Sequence, residues 1–541
     1  MFSGAEIMRG GPFLCWLAIL TATASNAFGG VFSATIEKIS VENRTITVKV
    51  SRKDLLQTFD VRGSAVITID GKKASLDDLE AGQTVSLTTN DFDEVTKVTV
   101  RTAARPVEKG EGSPVKSLRK KPGRDDSPEP ARGKESSKPE ADGPDESSAE
   151  VDSGEWPQFR GPNRDNVSPE TGLKSKWPNN GPKLAWKQTE IGLGYSSVAV
   201  SQGRVFTMGN RGEDEFLLAL DARSGRHLWS LRMGDAYHDG TGDGPRGTPT
   251  VDGDRVYALG ANGDLVCAGI DDGDLAWHVN ILQEFGARNI TWGISESVLV
   301  DGNQVICTPG GQIATMAALD KLTGKTVWVA RHPKQPQAAY SSAIAVEVNG
   351  IRQYVNFVQT AVLGVKADNG RILWENSKSA NGTANCATPL FADNAVFSAS
   401  GYGTGGALVK LVSKGQNVTA VLGYHTPRMK NHHGGMVLVK GDVYGFDDDV
   451  LTCLEMKTGK VAWQDRSVGK GSLTVADGHL YLRSEDGIVG LAEATPKGYK
   501  ESGRFTQPDR SDKPSWSHPA VVGGKLYLRD MDTLLVYDVK D

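Results

Sequence analysis

The stretch ALDARSGRHLW, Ala219 to Trp229, returns 99 residues later as ALDKLTGKTVW, Ala318 to Trp328, with the same spacing from Asp to Gly to Trp. A third copy reads LEMKTGKVAW, Leu454 to Trp463. A chain that spells one hairpin at even intervals is built from stacked units, each too small to bury its own apolar face. The chemistry of the hairpin is legible. The Asp carboxylate accepts turn amides, Thr or Ser bonds within the turn, and Gly supplies a positive φ. The Trp then lies on the outer strand with a large apolar face to cover a neighbour.

The tryptophans of this motif are Trp186, Trp229, Trp277, Trp328, Trp374 and Trp463, at intervals of 43, 48, 51, 46 and 89 residues. The long interval holds two units, with VLGY (Val421 to Tyr424) where one Trp belongs. Each unit reads as four short strands, such as SSVAV, QGRVFTMG, a strand ending at the Asp, and a last one carrying the Trp. Four-stranded antiparallel blades arranged radially make a propeller. The final unit, SHPAVVGGKLYLRDMDTLLVYDV, has only three strands, whereas PKLAWKQ (residues 182–188) is a Trp-bearing strand with no three before it. Joining them closes a ring of eight blades and removes its open edges. The expectation is an all-β chain with an eight-bladed propeller over residues 156–541, the six tryptophans serving as structural staples.

Three regions precede the propeller. Residues 1–27 read as a signal peptide: Arg9, the apolar run PFLCWLAIL, and small residues at SNA. Residues 31–101 alternate as five or six short strands, with one capped helical turn at SLDDL (75–79), and suggest a small OB-like barrel. Residues 104–153 are charged, rich in Pro and Ser, and almost free of large apolar side chains. That composition reads as a disordered linker. The expected location is exported, periplasmic or secreted, with no transmembrane span in the mature chain. A net charge of −5 over 541 residues argues against a nucleic-acid partner, so the expected partner is an envelope protein or a small polar ligand. Past the leader, Cys267, Cys307, Cys386 and Cys453 are far apart and lie in apolar, strand-like runs. They read as buried thiols without a haem or zinc pattern.

The repeats LDARSGRHLW, LDKLTGKTVW and LEMKTGKVAW resemble those of the PQQ-like, quinoprotein-dehydrogenase-like propellers, a family that includes BamB-type envelope proteins. WPQFRGPNRDNVSPETGL (156–173) resembles the opening segment of exported bacterial members. Gly269 and Lys366 depart from the motif by replacing its Asp. The resemblance implies either a cofactor-free binding scaffold or an oxidoreductase holding pyrroloquinoline quinone (PQQ) and calcium on the propeller axis. The dehydrogenases use a pair of adjacent cysteines and a Trp beneath the quinone, and no Cys-Cys pair occurs here.

Inner strands line the axis of a propeller, so residues at their starts are the candidate channel residues: Tyr195, Arg246, Arg288, Trp292, Glu296, Asn385, His432, His433, Lys470, Trp516 and His518. Asn289, Tyr340, Lys430 and Asn431 lie beside them. Together they predict a polar, aromatic and basic pocket for an anionic or sugar-like ligand. Alternation along a strand would set His432 and His433 on opposite faces, which weighs against a shared metal site. The sequence supports a non-catalytic envelope binding protein with no cofactor or metal. A PQQ-dependent oxidoreductase and a carbohydrate-binding propeller are the alternatives.

Overall fold

The computed structural model describes residues 30–41, 44–50, 55–69, 72–89, 94–100 and 154–540. The expected signal peptide and linker lie outside them. The described residues divide into two units, one from the chain before Pro139 and one after it.

In the first unit the strand Gly30–Ser40 pairs with both Thr45–Val50 and Thr84–Thr89. Thr84–Thr89 pairs with Glu94–Val100, which runs parallel to Leu55–Ile69, and that strand returns to Thr45–Val50. The pairings therefore close a five-strand ring, with the short strand Lys72–Ala74 added to Leu55–Ile69. Period-2 alternation places Ile36, Ile46, Val48, Leu87 and Val98 inside, each fully buried. The turn at SLDDL is a 3-10 helix, Leu76–Asp78, whose Asp78 carboxylate accepts from both N–H and Oγ–H of Ser75 at 2.8 Å.

The second unit is an eight-bladed propeller. Blades 1 to 6 are six consecutive four-stranded sheets, whose inner strands are Ala199–Ser201, Thr250–Asp252, Leu299–Asp301, Ile344–Val348, Leu390–Ala392 and Met436–Val439. Blade 7 begins at Gly471–Ala476 and gains a parallel fifth strand, Val167–Ser168, on its axial side. Blade 8 takes Ala520–Val522, Lys525–Asp530 and Thr533–Asp538 from the end of the chain and Lys183–Gln188 from its beginning. Trp186 sits opposite Val536 in that last pairing.

The staples work as hydrogen-bonded pegs. The indole N–H of Trp186, Trp229, Trp277, Trp328 and Trp463 donates to the carbonyls of Ala222, Ile270, Lys321, Ala367 and Thr495, each in the following blade, at 2.8–3.2 Å. Trp374 departs from this, since its indole donates to Gln353 within its own blade at 2.6 Å. Tyr424 takes the peg position of blade 5 and donates to the Met456 carbonyl at 2.6 Å. The motif glycine has two reasons to be glycine. Gly273 holds φ +74°, and a Cβ there would stand 2.5 Å from the Trp229 ring. The motif aspartates act as read. Asp320 accepts from Thr323 Oγ1 at 2.7 Å and Thr323 N at 2.9 Å, bonds that hold its carboxyl below the usual range.

The lead-in segment 156–168 crosses the axis. Trp156 bridges Val200 of blade 1, and the Pro157 carbonyl accepts from Val251 of blade 2. The buried guanidinium of Arg164 donates to the carbonyls of Ser297 and Val298 at 2.6 and 3.2 Å, and that of Arg160 to Met436 of blade 6 at 2.5 Å. Asn166 then bonds the Leu473 carbonyl of blade 7. One segment thus bonds the inner edges of five blades and floors the channel. No helix among the described residues is long and apolar enough to cross a membrane.

Candidate functional site

Above this floor lies a cavity of about 280 Å³. Its wall follows the pleat. Residues at alternating positions face it from successive blades: Tyr195 and Ser197, Arg246 and Thr248, Ser295 and Ser297, Tyr340 and Ser342, Cys386 and Thr388, His433 and Gly435, Trp516 and His518. The second member of each pair forms a lower tier. Five of these are hydroxyls, and three are threaded into the blade contacts. Ser197 N donates to Thr248 Oγ1 at 3.2 Å, Thr248 N to Ser297 Oγ at 2.8 Å, and Ser297 N to Ser342 Oγ at 2.9 Å. The buried Thr388 Oγ1 has no partner among the described residues. Gly435 occupies the tier in blade 6, where a Cβ would meet Arg160 Nη1 at 2.6 Å and His518 Cε1 at 2.8 Å.

The upper tier and its flanking loops carry most of the aromatic rings. Tyr195, Trp516, His433, His432 and Tyr402 form a continuous run with successive ring-centroid distances of 4.7, 4.2, 3.7 and 4.8 Å. Trp292 and Tyr340 pair at 5.6 Å on blades 3 and 4, which stand opposite blades 7 and 8 in a ring of eight. Phe159 of the lead-in segment packs on His518 at 5.2 Å and closes the base. Arg246 lies over the Tyr237 ring at 4.5 Å and the Tyr195 ring at 5.6 Å, and donates to the carbonyls of Gly242 and Gly244. No carboxylate pairs with it among the described residues.

Burial sets the electrostatics. It pushes the Tyr195 and Tyr340 hydroxyls up to about 12. It pulls His432 down to about 3, helped by the neighbouring His433 and Lys470, and His518 to about 4, helped by Arg160. Burial thus favours the neutral form of both these imidazoles. Glu485 stands just behind the wall and accepts from Trp516 Nε1 at 3.0 Å, with Lys470 Nζ at 3.1 Å and His433 Nδ1 at 3.4 Å. Against the upward push of burial, His433 and Lys470 hold it down to about 2. Cys386 lines the cavity from a loop rather than a strand, and burial raises its thiol to about 12. Cys267, Cys307, Cys386 and Cys453 are all free.

Seven of the eleven sequence candidates line the cavity: Tyr195, Arg246, Trp292, His432, His433, Trp516 and His518. Four do not. Glu296 and Asn385 fall on the wrong register, one residue from Ser297 and Cys386, and alternation turns them into the blades. Glu296 accepts from Thr308 N at 2.6 Å and Oγ1 at 2.8 Å, and burial raises it to about 7. Asn385 ties the Gln359 carbonyl and Asn381. Lys470 turns aside to Glu485, and Arg288 is exposed on a loop. Asn289, Lys430 and Asn431 likewise serve local bonds, to Ala261, Asp448 and Gly435. His432 corrects the expectation of opposite faces. The pair precedes the strand Met436–Val439 in a bend, where alternation does not hold, and both rings face the cavity. The hydroxyl tier was readable in the repeated Ser and Thr of SSVAV, GTPTV and ESVLV, whereas Glu485 and Phe159 carry no local signal.

The sequence matches the family described as outer membrane protein assembly factor BamB over residues 176–294, 213–465 and 425–541, which together span the propeller. The chain belongs to this family of PQQ-like repeat propellers. Solved structures align with the chain at low identity. The quinohemoprotein alcohol dehydrogenase of Comamonas testosteroni aligns at TM-score 0.51 and 12% identity, covering 71% of this chain and 80% of its own. BamB from Moraxella catarrhalis aligns at TM-score 0.42 and 13% identity, covering 65% of this chain and 97% of its own. No curated protein sequence matches the chain.

The cofactor of the family's dehydrogenases can be tested against this wall. Calcium takes six to eight oxygen ligands, several of them carboxylate or carboxamide. The residues lining this cavity include no Asp, Glu, Asn or Gln. The one carboxylate behind it, Glu485, stands beside two imidazoles and a lysine rather than among further oxygen donors, and Glu296 is bound inside a blade. This donor set does not fit a calcium–PQQ site.

Proposed function

We propose that this propeller is an exported, non-catalytic binding protein of the cell envelope, and that its axial cavity takes a small sugar, preferentially one carrying an acidic group. The observation that carries this reading is the set of aromatic rings that line the cavity around its axis, Tyr195, Trp292, Tyr340, Tyr402 and Trp516, beside a tier of five hydroxyls. Aromatic faces cover the C–H faces of a pyranose, and hydroxyls exchange hydrogen bonds with its rim. Arg246, with no carboxylate partner, supplies a fixed positive charge for an acid. The size is at the lower end of small-molecule sites, roughly 300–1,000 Å³, which favours one or two sugar rings over a long chain.

The test is a glycan array probed with the full-length chain, followed by calorimetry on the strongest hits. The expected result is one site per chain, with uronic acids ranked above the matching neutral sugars. The opposing reading is a PQQ-dependent oxidoreductase. No glycan signal, together with saturable uptake of PQQ with calcium and dye reduction by alcohols, overturns the proposal.

A further inference from the structure

Two imidazoles and a carboxylate meet where blades 6 and 7 border the cavity. The ligand atoms of His432, His433 and Glu485 all lie within 4.8 Å of one another. Both ring nitrogens of His432 are buried without a hydrogen-bond partner among the described residues. A buried polar atom left unpaired is costly unless something outside the chain takes it up. Glu485 is prepared in a complementary way. Trp516, Lys470 and His433 all contact its Oε1, at 3.0, 3.1 and 3.4 Å, and none of these contacts uses Oε2. The indole and the ammonium fix the carboxylate and leave one oxygen over.

We propose that His432, His433 and Glu485 form a site for a divalent transition-metal ion, open to the cavity. Two imidazole nitrogens and one carboxylate oxygen suit zinc, cobalt, nickel or copper, whereas calcium and magnesium want oxygen ligands throughout. Bonds of about 2.0–2.2 Å at tetrahedral angles place ligand atoms roughly 3.3–3.6 Å apart, so side-chain rotations of about an ångström close the present spacing. Trp516 and Lys470 act as outer partners that orient the carboxylate. Three protein ligands leave a fourth position facing the cavity, for water or for an oxygen of a bound molecule. Lys470 is the competing cation. Its side chain is 34% exposed, so it can retreat to solvent when an ion enters.

Cobalt chloride is the probe, added to the full-length chain without a histidine tag, with visible absorption and calorimetry as readouts. One equivalent should produce the d–d bands of a four- or five-coordinate site, and zinc should displace them. His432→Ala, His433→Ala and Glu485→Gln should each weaken binding by at least about 10-fold. Lys470→Met should tighten it, a gain of function that misfolding does not mimic. Circular dichroism melts check that each variant is folded. Absence of a saturable cobalt band overturns the proposal, as does equal affinity in wild type and both histidine variants, which would place the ion elsewhere. The titration contains no sugar, so its outcome and that of the glycan test are read independently.

Discussion

The rim and the axis of this propeller are built from the same blades but by opposite rules. At the rim one device is repeated: an aromatic peg, its polar hydrogen on a carbonyl of the next blade, and a glycine beneath the ring. At the axis the backbone positions repeat but the side chains do not, so that Tyr195, Arg246, Ser295, Tyr340, Cys386, His433 and Trp516 occupy one equivalent tier. The rim must solve the same packing problem eight times. The axis solves one recognition problem once, with seven contributions that need not match. Periodicity in this chain therefore marks scaffold, and its breakdown at matched positions marks the site.

The comparison breaks most visibly at a peg. Trp229→Ala should cost about 3–5 kcal/mol, read as a lowered midpoint in urea, because it opens a buried cavity between blades 1 and 2. An equal loss from Trp516→Ala would erase the distinction between rim and axis.

Glu296 provides a contrast in pH dependence. Burial raises its folded pKa to about 7 from an ordinary 4.5, so its burial costs nothing below pH 4.5 and progressively destabilises as pH rises toward 7. Glu296→Gln, which mimics the protonated form, should match wild type near pH 4.5 and exceed it by up to about 3 kcal/mol above pH 7. A difference independent of pH would show that Glu296 is ionised in both states or in neither.

Gly273→Ala should cost about 2 kcal/mol from the left-handed backbone and the contact with Trp229. Smallest of all, Tyr424→Trp should shift stability by less than about 1 kcal/mol, because the phenol already makes the peg bond to Met456. A large gain from that change would mean that the tyrosine is a weak joint in blade 5.

The same contrast explains what was legible in the sequence. The hairpin motif gave the blades, and a strand count gave the closure by residues 182–188, because both follow from local turn chemistry and unsatisfied edges. The axis was only half legible. Alternation selects Tyr195, Arg246, Trp516 and His518 and rejects Glu296 and Asn385, but its register depends on where each inner strand begins. His432 was selected, but that it shares the cavity face with His433 was not, because the pair sits in a bend where alternation fails. Glu485 escaped because it reaches the site from the turn after His479–Ser484, a position that no local pattern ties to the axis. The floor escaped because Arg160 and Phe159 arrive from a lead-in segment that pairs with blades hundreds of residues away.

The most direct test of the central claim, that recognition lives on the axis and stability at the rim, is a paired titration. The strongest glycan from the array is measured by calorimetry against wild type, Trp516→Ala and Trp229→Phe, with a thermal melt of each. The account predicts that Trp516→Ala loses about 10-fold or more in affinity, a change of about 1.4 kcal/mol, with little change in melting. Trp229→Phe should melt earlier and bind as wild type does. Undiminished binding by a folded Trp516→Ala would contradict it.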